Sequence, residues 1–113
     1  MKLTLQKKIA TGALLLGLSM SSQADWVTGT IERTLSEGVN YGGCMILLST
    51  AIGQGCPSSW ASLDCQGGYT GTGERNYSTA LMAFSLNKQV SVFIDPSKKY
   101  NTYCVATRLD VLK

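Results

Sequence analysis

The sequence feature that most constrains folding is the N-terminal segment, because it decides how much chain is left to fold and in which redox environment. Three lysines among the first eight residues precede an apolar run from Ile9 to Met20, and Ser22-Gln23-Ala24 then gives the small-x-small pattern that signal peptidase cleaves. The run has 12 residues, fewer than the roughly 20 of a membrane-spanning helix. We therefore predict a signal peptide over residues 1–24, a secreted or periplasmic protein, and a single domain over residues 25–113.

The net charge changes once this segment is set aside. The whole chain carries +3, from ten Lys and Arg against seven Asp and Glu, but three of those ten lie before residue 25. Residues 25–113 are balanced at seven against seven. A neutral domain with dispersed charges lacks the basic surface that phosphate backbones require, so nucleic acid is not an expected partner. No second apolar run follows the first, and we expect no membrane anchor.

All four cysteines lie beyond the predicted signal peptide: Cys44, Cys56, Cys65 and Cys104. An even number of cysteines in a small exported domain indicates two disulfides, which such domains need because their cores are small. A metal site is the rival interpretation. It is disfavoured because the spacings contain no C-x-x-C pair and the chain has no histidine.

Five segments have the pattern of β-strands. In the first, Val27, Gly29, Ile31 and Leu35 alternate with polar residues, which predicts a strand with these four side chains facing the core. The strands are predicted over residues 26–35, 44–48, 60–65, 89–95 and 103–111. In the last, Val105, Leu109 and Val111 are expected on one face, opposite Arg108 and Asp110.

One segment has the pattern of a helix. Tyr77, Leu81 and Phe84 recur at helical spacing and predict an apolar face that packs on the rest of the domain. This face is widened by Ala80, Met82, Ala83 and Leu86. The segment 67–73, with four glycines in seven residues, is predicted to be a flexible connection. Residues 95–97 (Asp-Pro-Ser) are predicted to form a turn.

The order of these elements, β-β-β-α-β-β, predicts a mainly β fold of the OB type: a five-stranded barrel with one helix that bridges the third and fourth strands. The alternative is an open α+β sheet with the helix on one face. We favour the closed barrel because an open sheet of five short strands would leave unpaired edges.

The barrel topology also predicts how the cysteines pair. The second and third strands form an antiparallel hairpin, so Cys44 at the start of one lies near Cys65 at the end of the other. The third and fifth strands of an OB-type barrel are parallel, so Cys56 before one lies near Cys104 in the other. The predicted disulfides are therefore Cys44–Cys65 and Cys56–Cys104.

Catalysis is disfavoured by the residue types available. Without histidine the commonest general base is missing, and disulfide-bonded cysteines are not nucleophiles. Asp64, Glu74, Asp95 and Asp110 could supply the acid–base pair of a glycosidase, but they lie in a loop and at strand ends, where solvated acids are ordinary. We predict neither catalytic nor cofactor-binding residues.

Recognition is the chemistry that the composition favours. Aromatic rings among small polar residues give contact area at low entropic cost, as sugar-binding and protein-binding surfaces require. We predict a recognition surface that includes Tyr41, Tyr69, Asn76 and Tyr100. Trp60 and Tyr103 are instead expected in the core or against a disulfide.

Three blocks of the sequence resemble small exported proteins of Gram-negative bacteria that have no assigned function. They are Cys56-x3-Trp60-x-Ser62-x-Asp64-Cys65, Ala80-Leu81-Met82-Ala83 with Lys88-x-Val90-x-Val92, and Tyr103-Cys104-Val105-Ala106-x-Arg108-Leu109-Asp110-Val111. More remotely, the chain is similar to the receptor-binding B subunit of subtilase cytotoxin, a glycan-binding OB-like protein that forms pentameric rings. None of that family's glycan-binding residues matches a position here, so its activity is not carried over.

Three function hypotheses follow. The leading one is an exported binding module without catalysis that recognises a glycan or an envelope protein. The alternatives are an inhibitor of a foreign hydrolase such as lysozyme, and a component like a toxin B subunit. The sequence leaves the oligomeric state open.

Overall fold

The computed structural model describes residues 23–113. The predicted signal peptide, apart from Gln23 and Ala24, lies outside the described residues. The elements are β1 (Asp25–Ser36), β2 (Cys44–Leu48), β3 (Trp60–Ser62), α1 (Gly73–Ser85), β4 (Gln89–Tyr100) and β5 (Tyr103–Val111). The predicted order of strands and helix is confirmed.

The five strands form a closed barrel in the order β1-β2-β3-β5-β4. All neighbours are antiparallel except β3 and β5, which are parallel where Ser62 faces Val105. This is the predicted OB-type barrel rather than the open sheet. Closure gives each of the five strands two neighbouring strands, so none of them is an edge strand of an open sheet.

Both predicted disulfides are confirmed. Cys44–Cys65 closes the hairpin of β2 and β3 with the Cα atoms 5.6 Å apart, and Cys56–Cys104 joins the start of β3 to β5 with the Cα atoms 5.7 Å apart. The described cysteines are all paired. In the chain-entropy model each bridge stabilises a domain by about 3–4 kcal/mol, a large part of the total for one of this size.

The face of α1 that packs on the barrel combines small residues with the half-buried ring of Tyr77, so the predicted apolar face is confirmed at Tyr77, Ala80 and Ala83. Gly73, Ala80 and Ala83 are buried, whereas Leu81 and Phe84 are 39% and 41% exposed. The prediction that Leu81 and Phe84 face the core is therefore wrong. The helix begins so close to β3 that a side chain at Gly73 would collide with the backbone carbonyl of residue 64. Among residues 23–113, no helix is long and apolar enough to cross a membrane.

A bulge in β1 changes which side chains face outward. The register with β2 shifts between Ile31 and Arg33. Val27 and Ile31 lie in the core as predicted, but Leu35 is only half-buried and pairs with Met45, outside the core cluster. The extra residue of a bulge reverses the inward–outward alternation, so Leu35 lies on the outer surface and its predicted orientation is wrong.

The hairpin of β4 and β5 is longer and less regular than predicted. The strand β4 continues through Pro96 to Tyr100, and the chain reverses at Asn101 and Thr102, both with positive φ. The predicted turn at 95–97 is instead an irregularity within β4. A second register shift, after Phe93, pairs Ile94 with Ala106. As a result Ala106, and not Val105, belongs to the core cluster of the barrel.

Candidate functional site

The buried carboxylate of Asp64 organises one end of the barrel. It accepts hydrogen bonds from the four consecutive backbone N–H groups of residues 67–70, at 2.6–3.1 Å, and from the Tyr100 hydroxyl at 2.6 Å. Its exposed fraction is 0%, so the expectation of a solvated acid is wrong. The glycine-rich loop, predicted to be flexible, is fastened to this carboxylate through its backbone.

The contacts of the Asp64 carboxylate and the Tyr100 hydroxyl determine the charge state of each group. Burial acts to raise the pKa of Asp64, but the Tyr100 hydroxyl and the amides of residues 68–70 outweigh it and hold the pKa below its ordinary value. Burial, followed by the hydrogen bond to Asp64, raises the pKa of Tyr100 to about 12. At neutral pH an ionised carboxylate therefore accepts from an intact phenol, and both groups are used within the fold.

The predicted recognition residues make many of their contacts within the protein. Tyr69 packs edge-on against Tyr100, with ring centroids 5.2 Å apart, and its hydroxyl donates to a backbone carbonyl at 3.0 Å. Tyr41 packs in the same way against Tyr103 at 5.6 Å. The amide of Asn76 donates to a hydroxyl of the same helix start at 3.3 Å. Of the four predicted residues, only Tyr69 is classed as exposed.

Two further carboxylates of the sequence prediction are held by local partners. Asp95 accepts from the Lys98 ammonium at 2.7 Å and from the Ser97 hydroxyl at 2.6 Å, and these contacts lower its pKa to about 2. Asp110 accepts two hydrogen bonds from the Arg108 guanidinium, at 2.9 and 3.3 Å. Asp95 is therefore ionised near neutral pH, and both acids are paired with a cation close by in the sequence.

One groove on the surface of the described residues is acidic. It lies between the turn after β1 and the helix, encloses about 500 Å³, and is lined by Glu37 and Glu74 among smaller polar groups. Backbone N–H groups, foremost that of Tyr41, lower the pKa of Glu37. No Lys or Arg lines this groove, so it presents a negatively charged polar surface rather than a hydrophobic pocket.

A row of large side chains at the protein surface crosses three strands, with Trp26 and Arg108 exposed and Phe93 half-buried between them. Trp26 of β1 pairs with Phe93 of β4, which pairs with Arg108 of β5. The two aromatic centroids are 5.2 Å apart, and the Arg108 guanidinium carbon lies 5.3 Å from the Trp26 ring centroid. Trp26 is 41% exposed. Cross-strand register therefore places two rings and a cation side by side at the surface.

The next row of the same strands is polar. Thr28 pairs with Ser91 and Ser91 with Asp110, and the two hydroxyl oxygens are 3.0 Å apart. Asp110 is the carboxylate that accepts from Arg108. We call the surface formed by Trp26, Thr28, Ser91, Phe93, Arg108 and Asp110 the aromatic face. It combines flat apolar area with donors and acceptors a few ångströms away.

A second aromatic site lies farther along the barrel wall. Leu35, Tyr41, Met45, Trp60 and Tyr103 line a cavity of about 130 Å³. We call it the aromatic cleft. Arg33 lies beside it, with its guanidinium carbon 5.4 Å from the Trp60 ring centroid. Trp60 and Tyr103 are half-buried on the barrel wall and lie outside the core cluster, which was one of the two positions expected for them.

The sequence contained a signal for the aromatic face that the prediction did not use. Val27, Val92 and Ile94 face the core, so Trp26 and Phe93, which alternate with them, must face outward. Large aromatic side chains at outward positions of two strands are the pattern to look for. The neighbourhood of β1 and β4 could not be read from the pattern alone, because it depends on barrel closure.

Together these features define a small barrel with two disulfides and an exposed face of aromatic and polar side chains. Comparisons of the chain with protein-family models, with curated proteins and with solved structures find no match. The candidate site is therefore assessed on its geometry.

Proposed function

We propose that this protein is an exported glycan-binding module that binds through the aromatic face. The observation that carries the proposal is the registered row of Trp26, Phe93 and Arg108. The C–H face of a pyranose ring is apolar and flat, and it stacks on an aromatic ring with little loss of conformational entropy. Exposed apolar area with a polar border is also the general mark of a binding surface.

The polar row supplies what a sugar needs beyond stacking. The hydroxyls of Thr28 and Ser91 each donate and accept hydrogen bonds, and Asp110 and Arg108 offer an acceptor and a donor of fixed geometry. Because Arg108 and Asp110 are paired, the two charges offset each other across the face. This arrangement suits many weak hydrogen bonds to hydroxyl groups better than one strong ion pair.

No catalytic step is part of the proposal. The paired cysteines, the enclosed Asp64 and the locally paired Asp95 each have a role within the fold. The two disulfides suit an oxidising compartment, in line with the predicted signal peptide.

The test is binding of the purified protein to a glycan array, with Trp26→Ala as the main variant. We expect retention on a subset of glycans, and a loss of at least about tenfold in Trp26→Ala, which corresponds to about 1.4 kcal/mol. Leu86→Ala is the matched control, because Leu86 is an apolar side chain 60% exposed at the C-terminal end of the helix and is not one of the residues of the aromatic face. Its binding should equal that of the original protein.

Several outcomes would contradict the proposal. An array without any bound glycan, or equal binding by Trp26→Ala and the original protein, would exclude this use of the face. Inhibition of lysozyme by the purified protein, undiminished in Trp26→Ala, would favour the hydrolase inhibitor instead. Circular dichroism and urea unfolding of each variant would show that any loss of binding is not a loss of folding.

A further inference from the structure

The aromatic cleft is a product of the β1 bulge. After the register shift, Arg33 and Leu35 both point outward, where Arg33 pairs with Leu47 and Leu35 with Met45. Trp60, the register partner of Leu47 on the next strand, completes the row. Without the bulge, the alternation of β1 would turn Leu35 into the core. The cleft therefore depends on an irregularity rather than on ordinary sheet packing.

The shape of the cleft suits one small apolar group. Its floor is Met45, which is 2% exposed although it points away from the barrel core. Tyr41 and Tyr103 meet edge to face with an interplanar angle of 82°. The cavity of about 130 Å³ is close to the roughly 150 Å³ of an apolar cavity known to accept benzene. One ring or one branched side chain would fill it, whereas an oligosaccharide would not fit.

The charge beside the cleft sets the chemistry of its ligand. Arg33 is stacked on Trp60, and it takes part in neither of the ion pairs found within residues 23–113. No acidic side chain lines the cleft. Arg108 is the instructive comparison, since it lies over Trp26 at nearly the same distance but is paired with Asp110. Arg33 is thus a fixed cation that offers its hydrogen bonds to a ligand.

We infer that the aromatic cleft binds a single apolar ring or branched chain that carries a carboxylate. The apolar group contacts Met45 and the surrounding rings, and the carboxylate accepts hydrogen bonds from Arg33. Two sources share this chemistry: a free aryl-alkyl acid, and the C-terminal residue of a protein chain, whose carboxylate lies next to its side chain. This site is separate from the aromatic face and does not depend on glycan binding.

The test follows the two indole N–H resonances in NMR titrations, because the chain has two tryptophans, one at each site. The probes are phenylpropionate, phenylethylamine, and the peptide acetyl-Gly-Phe with a free or an amidated C terminus. We expect the two acids to shift the Trp60 resonance and to leave that of Trp26 in place. The amine and the amidated peptide should bind at least about tenfold more weakly, a difference of about 1.4 kcal/mol.

Arg33→Gln and Arg108→Gln form the matched pair of variants. Both residues are exposed and lie over a tryptophan ring, so both variants should stay folded. We expect Arg33→Gln to abolish the preference for acid over amide, and Arg108→Gln to keep it. Binding of the peptide acid alone would assign the cleft to a protein C terminus, and binding of both acids would support the wider class.

Three results would overturn the inference. The first is no shift of the Trp60 resonance with either acid. The second is equal affinity for phenylpropionate and phenylethylamine. The third is an unchanged acid preference in Arg33→Gln. None of them bears on the glycan array, so this inference and the proposed function can fail independently.

Discussion

The Asp64 end of the barrel and the aromatic face use similar residue types in opposite ways. At Asp64, a carboxylate and a tyrosine hydroxyl are buried and make their hydrogen bonds to each other and to the backbone. On the aromatic face, Trp26 is 41% exposed and the polar groups lie at the surface. The comparison shows that a carboxylate or an aromatic ring is evidence for a binding site only when its contacts within the fold leave it available to a ligand.

The comparison also explains why the predicted recognition surface differs from the one proposed. Tyr69 and Tyr100 lie beside a glycine-rich segment, which is typical of a binding loop, yet both hydroxyls donate within the protein. Gly42 shows how close the packing is, since a side chain there would collide with the Tyr100 ring. The groups left available for a ligand are on the strands.

The largest effect is expected from Asp64→Ala. Removal of the buried carboxylate leaves four loop N–H groups and the Tyr100 hydroxyl without their acceptor, which should lower the free energy of unfolding by about 3–5 kcal/mol. Urea unfolding measures this change, and hydrogen exchange should show faster exchange of amides 67–70. Asp110→Ala, at the aromatic face, should cost less than about 1 kcal/mol. An equal loss of unfolding free energy in the two variants would contradict the distinction between the Asp64 end of the barrel and the aromatic face.

A smaller effect is expected from Tyr100→Phe, which removes only the hydroxyl that donates to Asp64. The free energy of unfolding should fall by about 1–3 kcal/mol, the range for a hydrogen bond to a charged group. Tyr41→Phe is the control, because the Tyr41 ring lines the open aromatic cleft. It should change stability by less than about 0.5 kcal/mol. If both variants lose the same free energy of unfolding, the hydrogen bond from Tyr100 to Asp64 does not stabilise the protein more than an ordinary tyrosine hydroxyl does.

The smallest effect is expected from acid titration of Asp95. Its pKa is lowered to about 2 from 3.8 by Lys98 and Ser97, so its contribution is present above pH 3.8 and is lost as the pH falls through 2. Because the pair lies near the surface, we expect the contribution to be about 0.2–1 kcal/mol. Urea unfolding at several pH values should show a shallower acid decline in Asp95→Asn. A decline equal to that of the original protein would exclude Asp95 as a contributor.

Much of the fold could be predicted because its signals are local. The bounds of β2 and β5 follow from short apolar and alternating runs, and the cysteine pairing follows from strand order. The prediction of the helix face was right for Tyr77, Ala80 and Ala83 but too wide, because periodicity shows which residues share a side of the helix and not how much of that side packs inward. The close approach at Gly73, Ala80 and Ala83 decides that.

The candidate site was harder to predict because it depends on register between distant strands. Trp26 and Phe93 are 67 positions apart in the sequence. They meet only because β1 pairs with β4 in the closed barrel. The bulge after Ile31, which brings Leu35 to the outer surface, has no clear mark in the alternating pattern. A shift of one residue reverses every later side chain, so pattern reasoning fails beyond such a point.

By itself, the sequence determined the order of elements, the type of barrel and the pairing of the cysteines. The order of elements follows from local periodicity, the barrel type follows from that order, and the cysteine pairing follows from the strand neighbours that the barrel type implies. The tertiary structure decided which carboxylate is enclosed, which face of α1 is exposed, and which rings meet on the barrel wall. Those outcomes depend on register shifts and close approaches between segments far apart in the chain, whose free energies no local pattern contains.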